Sequence, residues 1–247
     1  MTAAALQTSQ ALNGHSRFAI YYAPPRESAW WRAGCAWLGR DPETDETLSA
    51  PQPAGLSHSL AELTIAPRRY GWHGTIVPPF RLAPGVTPEA LDAAAQQWAA
   101  TRACFAVAAQ AATLGRFVAL RPADDAGDAA LRDLAADALR TLAPLRAAQT
   151  SAELARRLGA PLTAQQRAYV EEWGYPYVFD EFRFHMTLSD SLDDAHARAT
   201  LVAAWNAQMR DAGPLPVDGV ALFVEPQPGA PFALWRRAAF QDGERRA

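Results

Sequence analysis

The chain has 247 residues, 49% hydrophobic and 20% charged, which is long and apolar enough for a substantial core and outside the disordered range. Its net charge of −3 leaves no basic excess that would make duplex DNA or an anionic membrane the default partner. All 23 cationic side chains are arginine; the absence of lysine excludes Schiff-base lysines, lysine nucleophiles and phosphate-loop lysines, and any phosphate held by a cation here is held by a guanidinium.

Residues 1–16 contain neither a cationic segment nor a sustained apolar run, and read as a flexible polar tail rather than a targeting signal. No stretch approaches the length of a membrane span. Two cysteines, Cys35 and Cys104, are too few for a disulfide framework and have no metal-type spacing. These features point to a cytoplasmic protein whose residues 17–247 form a single bilobal domain.

From Arg17, the run Phe-Ala-Ile-Tyr-Tyr reads as a strand closed by Pro24 and Pro25, and residues 28–38 as a helix ended by Gly39. Residues 40–69 read as a long excursion with one brief periodic segment at 60–65. A second strand is expected over 70–77, stopped by Pro78 and Pro79, and Thr87-Pro88-Glu89 opens a helix that continues to about residue 102. Residues 104–114 and 116–120 suggest a hairpin around Gly115. After a turn at 124–128, residues 129–142 form a helix with a stripe of Leu131, Leu134, Leu139 and Leu142. Short helices at 150–158 and 163–173, a strand at 179–188, a helix at 193–209 and strands at 217–225 and 232–240 complete the pattern.

Residues 70–120 and 179–240 share one rhythm of strand, helix and paired strands. The expected fold is therefore α+β: two pseudo-symmetric lobes of duplicated units, with antiparallel sheets facing a central groove. Of five histidines, two occupy the same phrase, His73-Gly-Thr75-Ile76 and His185-Met-Thr187-Leu188, each in the corresponding strand of its half. Chance repetition of such a phrase is roughly a one-in-several-hundred event. On a strand, His and Thr two residues apart share a face about 7 Å apart. The second copy sets Glu181, Arg183, His185, Thr187 and Ser189 opposite Phe182, Phe184, Met186 and Leu188. A lone histidine on a polar face is ordinarily just solvated; the matched pair is what suggests a site. Two imidazoles supply a general acid and a general base, and threonine hydroxyls donate to phosphoryl oxygens, as in-line attack on a phosphodiester requires. His15, His58 and His196 receive no role.

These paired His-x-Thr-aliphatic motifs resemble those of the two-histidine (2H) phosphoesterase superfamily. The phrases beginning at Arg17, Trp31, Pro67 and Glu181 are similar to its branch of phosphonate-metabolism proteins, a likeness covering nearly all of the chain after residue 16. The resemblance implies a 2H-like fold and a hydrolase needing neither metal nor cofactor. Its substrate would be a small phosphorylated metabolite, a cyclic phosphodiester such as a ribose cyclic phosphate from carbon–phosphorus bond cleavage. Catalysis would fall to His73, Thr75, His185 and Thr187. A lysine often follows the first phrase in the family, where this chain has Val77; either an arginine from elsewhere takes its place, with Arg183, Arg68 and Arg69 as candidates, or the substrate is less charged. Tyr21, Tyr175 and Tyr177 are candidates to wall the groove and stack on a sugar or base. Alternatives are a 2′,3′-cyclic phosphodiesterase acting on RNA ends and a non-catalytic module binding a phosphometabolite. No long nucleic acid and no membrane are expected as partners, and a zinc hydrolase is disfavoured because no local cluster supplies three ligands.

Overall fold

The computed structural model describes Leu12 and residues 14–241. Most of the expected tail lies outside the described residues; at its end Ser16 is buried, and its hydroxyl donates to the Pro226 carbonyl at 2.9 Å. The first strand, β1 (Arg17–Tyr22), is buried from its second residue onward. In α1 (Ala29–Leu38), Ser28 accepts the Trp31 amide at the start, and Gly39, with φ of 73°, closes the end. The excursion carries two short helices, α2 (Leu60–Leu63) and α3 (Ile65–Tyr70). Then follow β2 (Gly74–Phe80), α4 (Pro88–Ala99), β3 (Phe105–Val107), β4 (Ala109–Leu114), β5 (Phe117–Pro122) and α5 (Asp125–Leu142). The remainder comprises α6 (Ser151–Leu158), α7 (Ala164–Trp173), β6 (Met186–Thr187), α8 (Ala195–Gln208), β7 (Leu215–Val217), β8 (Gly219–Glu225) and β9 (Ala233–Ala239).

Seven strands form one antiparallel sheet in the order β4-β5-β6-β2-β1-β8-β9, and β3 pairs with β7 in a separate ribbon. The fold is α+β, as expected. Instead of two sheets facing each other, the two motif strands are adjacent in one sheet, because β6 pairs with β2 on one side and β5 on the other. On the core side, Trp72 packs on Trp205 of α8, which meets Trp37 of α1 edge-on, both at 5.2 Å between ring centroids. Gly34 lets α1 approach: a Cβ there would lie 2.2 Å from the Trp72 ring. Asn206 of α8 accepts the Ala111 amide and donates to the Ala111 carbonyl, fixing α8 on β4. Among the described residues, no helix is long and apolar enough to cross a membrane.

Several elements differ from expectation for local reasons. Tyr70 belongs to α3, and the strand expected from residue 70 begins at Gly74, after Gly71 ends the helix. It also runs through Pro78 and Pro79, which fall where the pairing with β1 is irregular, so the missing N–H groups cost little. The segment 104–114 is divided, since β3 leaves the main sheet to join β7. The acidic turn at 124–128 is the start of α5: Asp124 caps Gly127, and Asp125 and Asp128 suit the positive end of the helix dipole. Within 179–188, a 3₁₀ turn spans Phe179–Glu181 and only Met186–Thr187 is laddered, because β2 and β5 offer partners just there. Burial nevertheless alternates as expected, with Phe182, Phe184, Met186 and Leu188 all inside. The strand expected over 217–225 is broken into β7 and β8 between Val217 and Gly219.

Candidate active site

Gly74 pairs with Met186, so one step to either side the antiparallel ladder sets His73 against Thr187 and Thr75 against His185. All four side chains have the parity opposite to the Gly74–Met186 pair and share one face. Diagonal neighbours in such a ladder lie about 7–8 Å apart, a span that one phosphoryl group can bridge through hydrogen bonds. The close approach of the motifs needs glycine at position 74, since a Cβ there would lie 2.4 Å from the Phe184 ring. Below, the Trp37 indole donates to the Leu188 carbonyl at 2.8 Å and pins the end of the second motif.

Both imidazoles are oriented by the same device. The Nδ1 of His73 lies 2.9 Å from the Gly71 carbonyl, and the Nδ1 of His185 lies 2.8 Å from the Arg183 carbonyl. A carbonyl only accepts, so Nδ1 carries the proton in each ring and the neutral form leaves Nε2 as a lone pair. Burial pushes His73 down to about 4; its bond to Gly71 opposes the shift and the neighbouring His185 adds to it. His185 is also lowered, first by burial and then by the Arg121 charge, against its bond to Arg183.

Tyr21 stacks on His73 at 3.8 Å with the rings 22° apart, and Tyr70 and Phe223 lie at 6.2 and 6.0 Å. Phe117 approaches His185 at 5.7 Å. A cavity of about 280 Å³ opens beside this quartet, lined by Tyr70, His73, Phe117, Thr187 and Asp190 among others. The Asp190 carboxylate accepts the Ile65 and Ala66 amides at 2.8 and 3.0 Å, which joins α3 to the end of the second motif.

The expected arginines are engaged elsewhere. Arg68 donates to the Leu38 and Ala61 carbonyls and to the Thr64 hydroxyl. Arg183, exposed on a segment that is not a strand, donates to the Asp180 and Phe182 carbonyls. Arg69 donates to Glu225 at 2.5 Å while its guanidinium lies 5.4 Å from the centre of the Tyr70 ring. Tyr175 meets Tyr177 edge-on at 5.8 Å, and Tyr177 is half exposed. Val77 is buried in the core.

The cation beside His185 is Arg121, which sequence reasoning missed. It lies one step past the Leu120–Met186 pair, across from His185, and its Nε has no hydrogen-bond partner. The signal was the alternation Phe117, Ala119, Arg121, but the strand was expected to end at Leu120. Among the described residues, no three His, Cys, Asp or Glu side chains gather as a metal site.

Two curated relatives are similar along most of this chain. A protein of Laribacter hongkongensis named ribose 1,5-bisphosphate phosphokinase PhnN is 40% identical over 226 residues, covering 89% of this chain and 51% of the relative. A protein of the same name from Janthinobacterium sp. is 37% identical over 241 residues, covering 93% and 52%. The chain thus spans about half the length of the curated relatives it matches. The family model described as "Protein of unknown function (DUF1045)" matches residues 75–233, from the first motif's threonine through the whole second motif, and the chain belongs to that family.

Proposed function

We propose that this protein hydrolyses a small cyclic phosphodiester without a metal, in the manner of the 2H phosphoesterases that its motifs resemble. The observation that carries the reading is the matched orientation of His73 and His185: each spends Nδ1 on the carbonyl two residues earlier and presents Nε2 beside a threonine on one sheet face. The repeated order β2-α4-β3-β4-β5 and β6-α8-β7-β8-β9 supports a duplicated, pseudo-symmetric origin for that match.

In this mechanism His73, neutral at ordinary pH, takes a proton from water as the water oxygen bonds to phosphorus. The bond from phosphorus to one ring oxygen breaks, and His185, protonated once the anionic substrate is bound, gives that oxygen its proton. A phosphomonoester and a free hydroxyl result. Thr75 and Thr187 donate to the non-bridging oxygens, and Arg121 offsets their charge.

The relatives' name favours a second reading, phosphoryl transfer from a nucleotide. This chain has no lysine and no GxxxxGK[ST] phosphate loop. We therefore assign the phosphokinase activity to the part of those relatives that this chain does not match. The ribose phosphate in their name supports a ribose cyclic phosphate as the substrate here, within phosphonate breakdown. The test is an assay of purified protein, with chelator, against ribose 1,2-cyclic phosphate, 2′,3′-cyclic nucleotides and a linear diester, with and without ATP. ATP-independent opening of a cyclic ester, lost in His73→Ala and His185→Ala, is expected. Full activity in both variants, or product only with ATP, overturns the proposal; binding without turnover would favour a sensing module.

A further inference from the structure

The helices α6 and α7 fall between the two repeated units, and with the segment that leads into them they enclose a cavity of about 290 Å³. None of its lining residues belongs to the cavity beside His73. Its nearest tie to the motifs is through β2: Leu82, just past that strand, bridges to Arg146, and the Arg146 guanidinium sits 5.6 Å from the centre of the Phe80 ring. Phe80 ends β2 five residues beyond Thr75, roughly 16 Å away at the rise of a strand.

Two side chains lining this cavity are only partly used. Arg146 donates through Nη2 to the Trp173 carbonyl at 2.9 Å, and Gln149 through Nε2 to the Gly174 carbonyl at 2.6 Å, so both are fastened to the C-terminal end of α7. A carbonyl only accepts, which fixes the Gln149 amide with its oxygen free. That oxygen and the Arg146 Nε are both buried without a hydrogen-bond partner. Among the described residues no carboxylate pairs with Arg146; burial pulls its guanidinium down to about 10, with the Arg157 charge adding to the effect, and at neutral pH it stays a cation. A cation and an acceptor left unpaired side by side in one cavity are a cost to folding that a ligand can remove.

The rest of the lining restricts what that ligand is. Leu154, Val170 and Trp173 are apolar, while the exposed Glu171 and Glu172 bring negative charge to the outer edge. One guanidinium against two carboxylates rejects a free dianion such as phosphate and favours a molecule that carries a positive charge beside a single negative one. The volume, at the low end for small-molecule pockets, requires that molecule to be compact.

We propose that this cavity is a binding site for a small apolar amino acid. The carboxylate accepts from Arg146, the ammonium donates to Gln149 Oε1 within the field of Glu171 and Glu172, and the side chain lies against Leu154, Val170 and Trp173. The site is separate from the histidines and independent of the reaction assigned to them.

The test is calorimetric titration of the full chain with L-valine, with isovalerate, which lacks the ammonium, and with isobutylamine, which lacks the carboxylate. Saturable binding of valine, about tenfold tighter or better than that of either analogue, is expected. Arg146→Gln should bring valine down to the level of isobutylamine. Leu154→Trp, which fills the cavity and leaves both polar groups in place, should abolish binding. Glu171→Gln combined with Glu172→Gln, both at exposed positions, should narrow the gap between valine and isovalerate, and His73→Ala should bind valine as tightly as the wild type. Absence of saturable valine binding, which would leave the cavity to water, overturns the site. So does equal binding of valine and isobutylamine, unchanged binding in a folded Leu154→Trp variant, or loss of binding in His73→Ala, which would move the ligand to the catalytic groove.

Discussion

His73 and His185 are held by the same backbone device, yet their surroundings differ. His73 is enclosed by Tyr21, Tyr70 and Phe223, whereas His185 meets the Phe117 ring and the Arg121 charge, both from β5. Aromatic enclosure removes water from an imidazole and keeps it neutral, and an anion bound beside an imidazole favours its charged form. The repeated phrase thus sets position and tautomer, while in the proposed mechanism the neighbours divide the labour between base and acid.

The strongest way to break this comparison is to remove each ring. His73→Ala and His185→Ala are each expected to lower kcat by about 10²–10⁴-fold with circular dichroism unchanged. Their pH profiles should differ. In the free wild-type protein, kcat/KM should rise as His73 loses its proton near pH 4 and fall as His185 loses its own below 6.5, so the optimum lies on the acidic side of neutrality. Residual activity in the His73 variant should lack the acidic limb and that in the His185 variant the alkaline limb. Matching profiles in the two variants would dissolve the assignment.

Stability should show the same asymmetry. A histidine whose folded pKa is depressed contributes its full stability above its unfolded value and loses it as pH falls through the interval to its folded value. For His73 that interval runs from 6.5 to about 4. The loss reaches up to roughly 3 kcal/mol at its acidic end. Urea unfolding at pH 7.5 and 4.5 should therefore show wild type losing more stability than His73→Gln, with a smaller differential for His185→Gln. Gly74→Ala probes the contact between the niches: its methyl group meets Phe184, and a destabilisation of about 1–3 kcal/mol by thermal melting is expected. Smallest are Thr75→Val and Thr187→Val, each expected to cost about 1–2 kcal/mol of transition-state stabilisation, read as a roughly tenfold drop in kcat/KM with similar values for the two.

Local chemistry made much of this legible in the sequence. Ser28 and Gly39 bound α1, Thr87 with Pro88 starts α4, and the parity of His73, Thr75, His185 and Thr187 put them on polar faces before any pairing was known. What stayed hidden depended on partners far along the chain. Nothing near residue 186 indicates that Gly74 and Leu120 flank it, and without that pairing Arg121 is an ordinary arginine after a strand. Arg183 showed the reverse: strand parity placed it beside His185, but a 3₁₀ turn and two nearby carbonyls claim it. The pairing of Arg17 and Arg69 with Glu225 was likewise invisible, because its members come from β1, α3 and β8.

The two-residue strand β6 has a consequence for how the protein comes to life. It is held between β2 and β5, both of which leave the ribosome well before it, and Trp37 secures the residue that follows. A nascent chain that has reached β5 already displays His73 and Thr75 but holds only half of an acid–base pair. Under the proposed mechanism, competence therefore arrives late in synthesis, once β6 takes its place between β2 and β5.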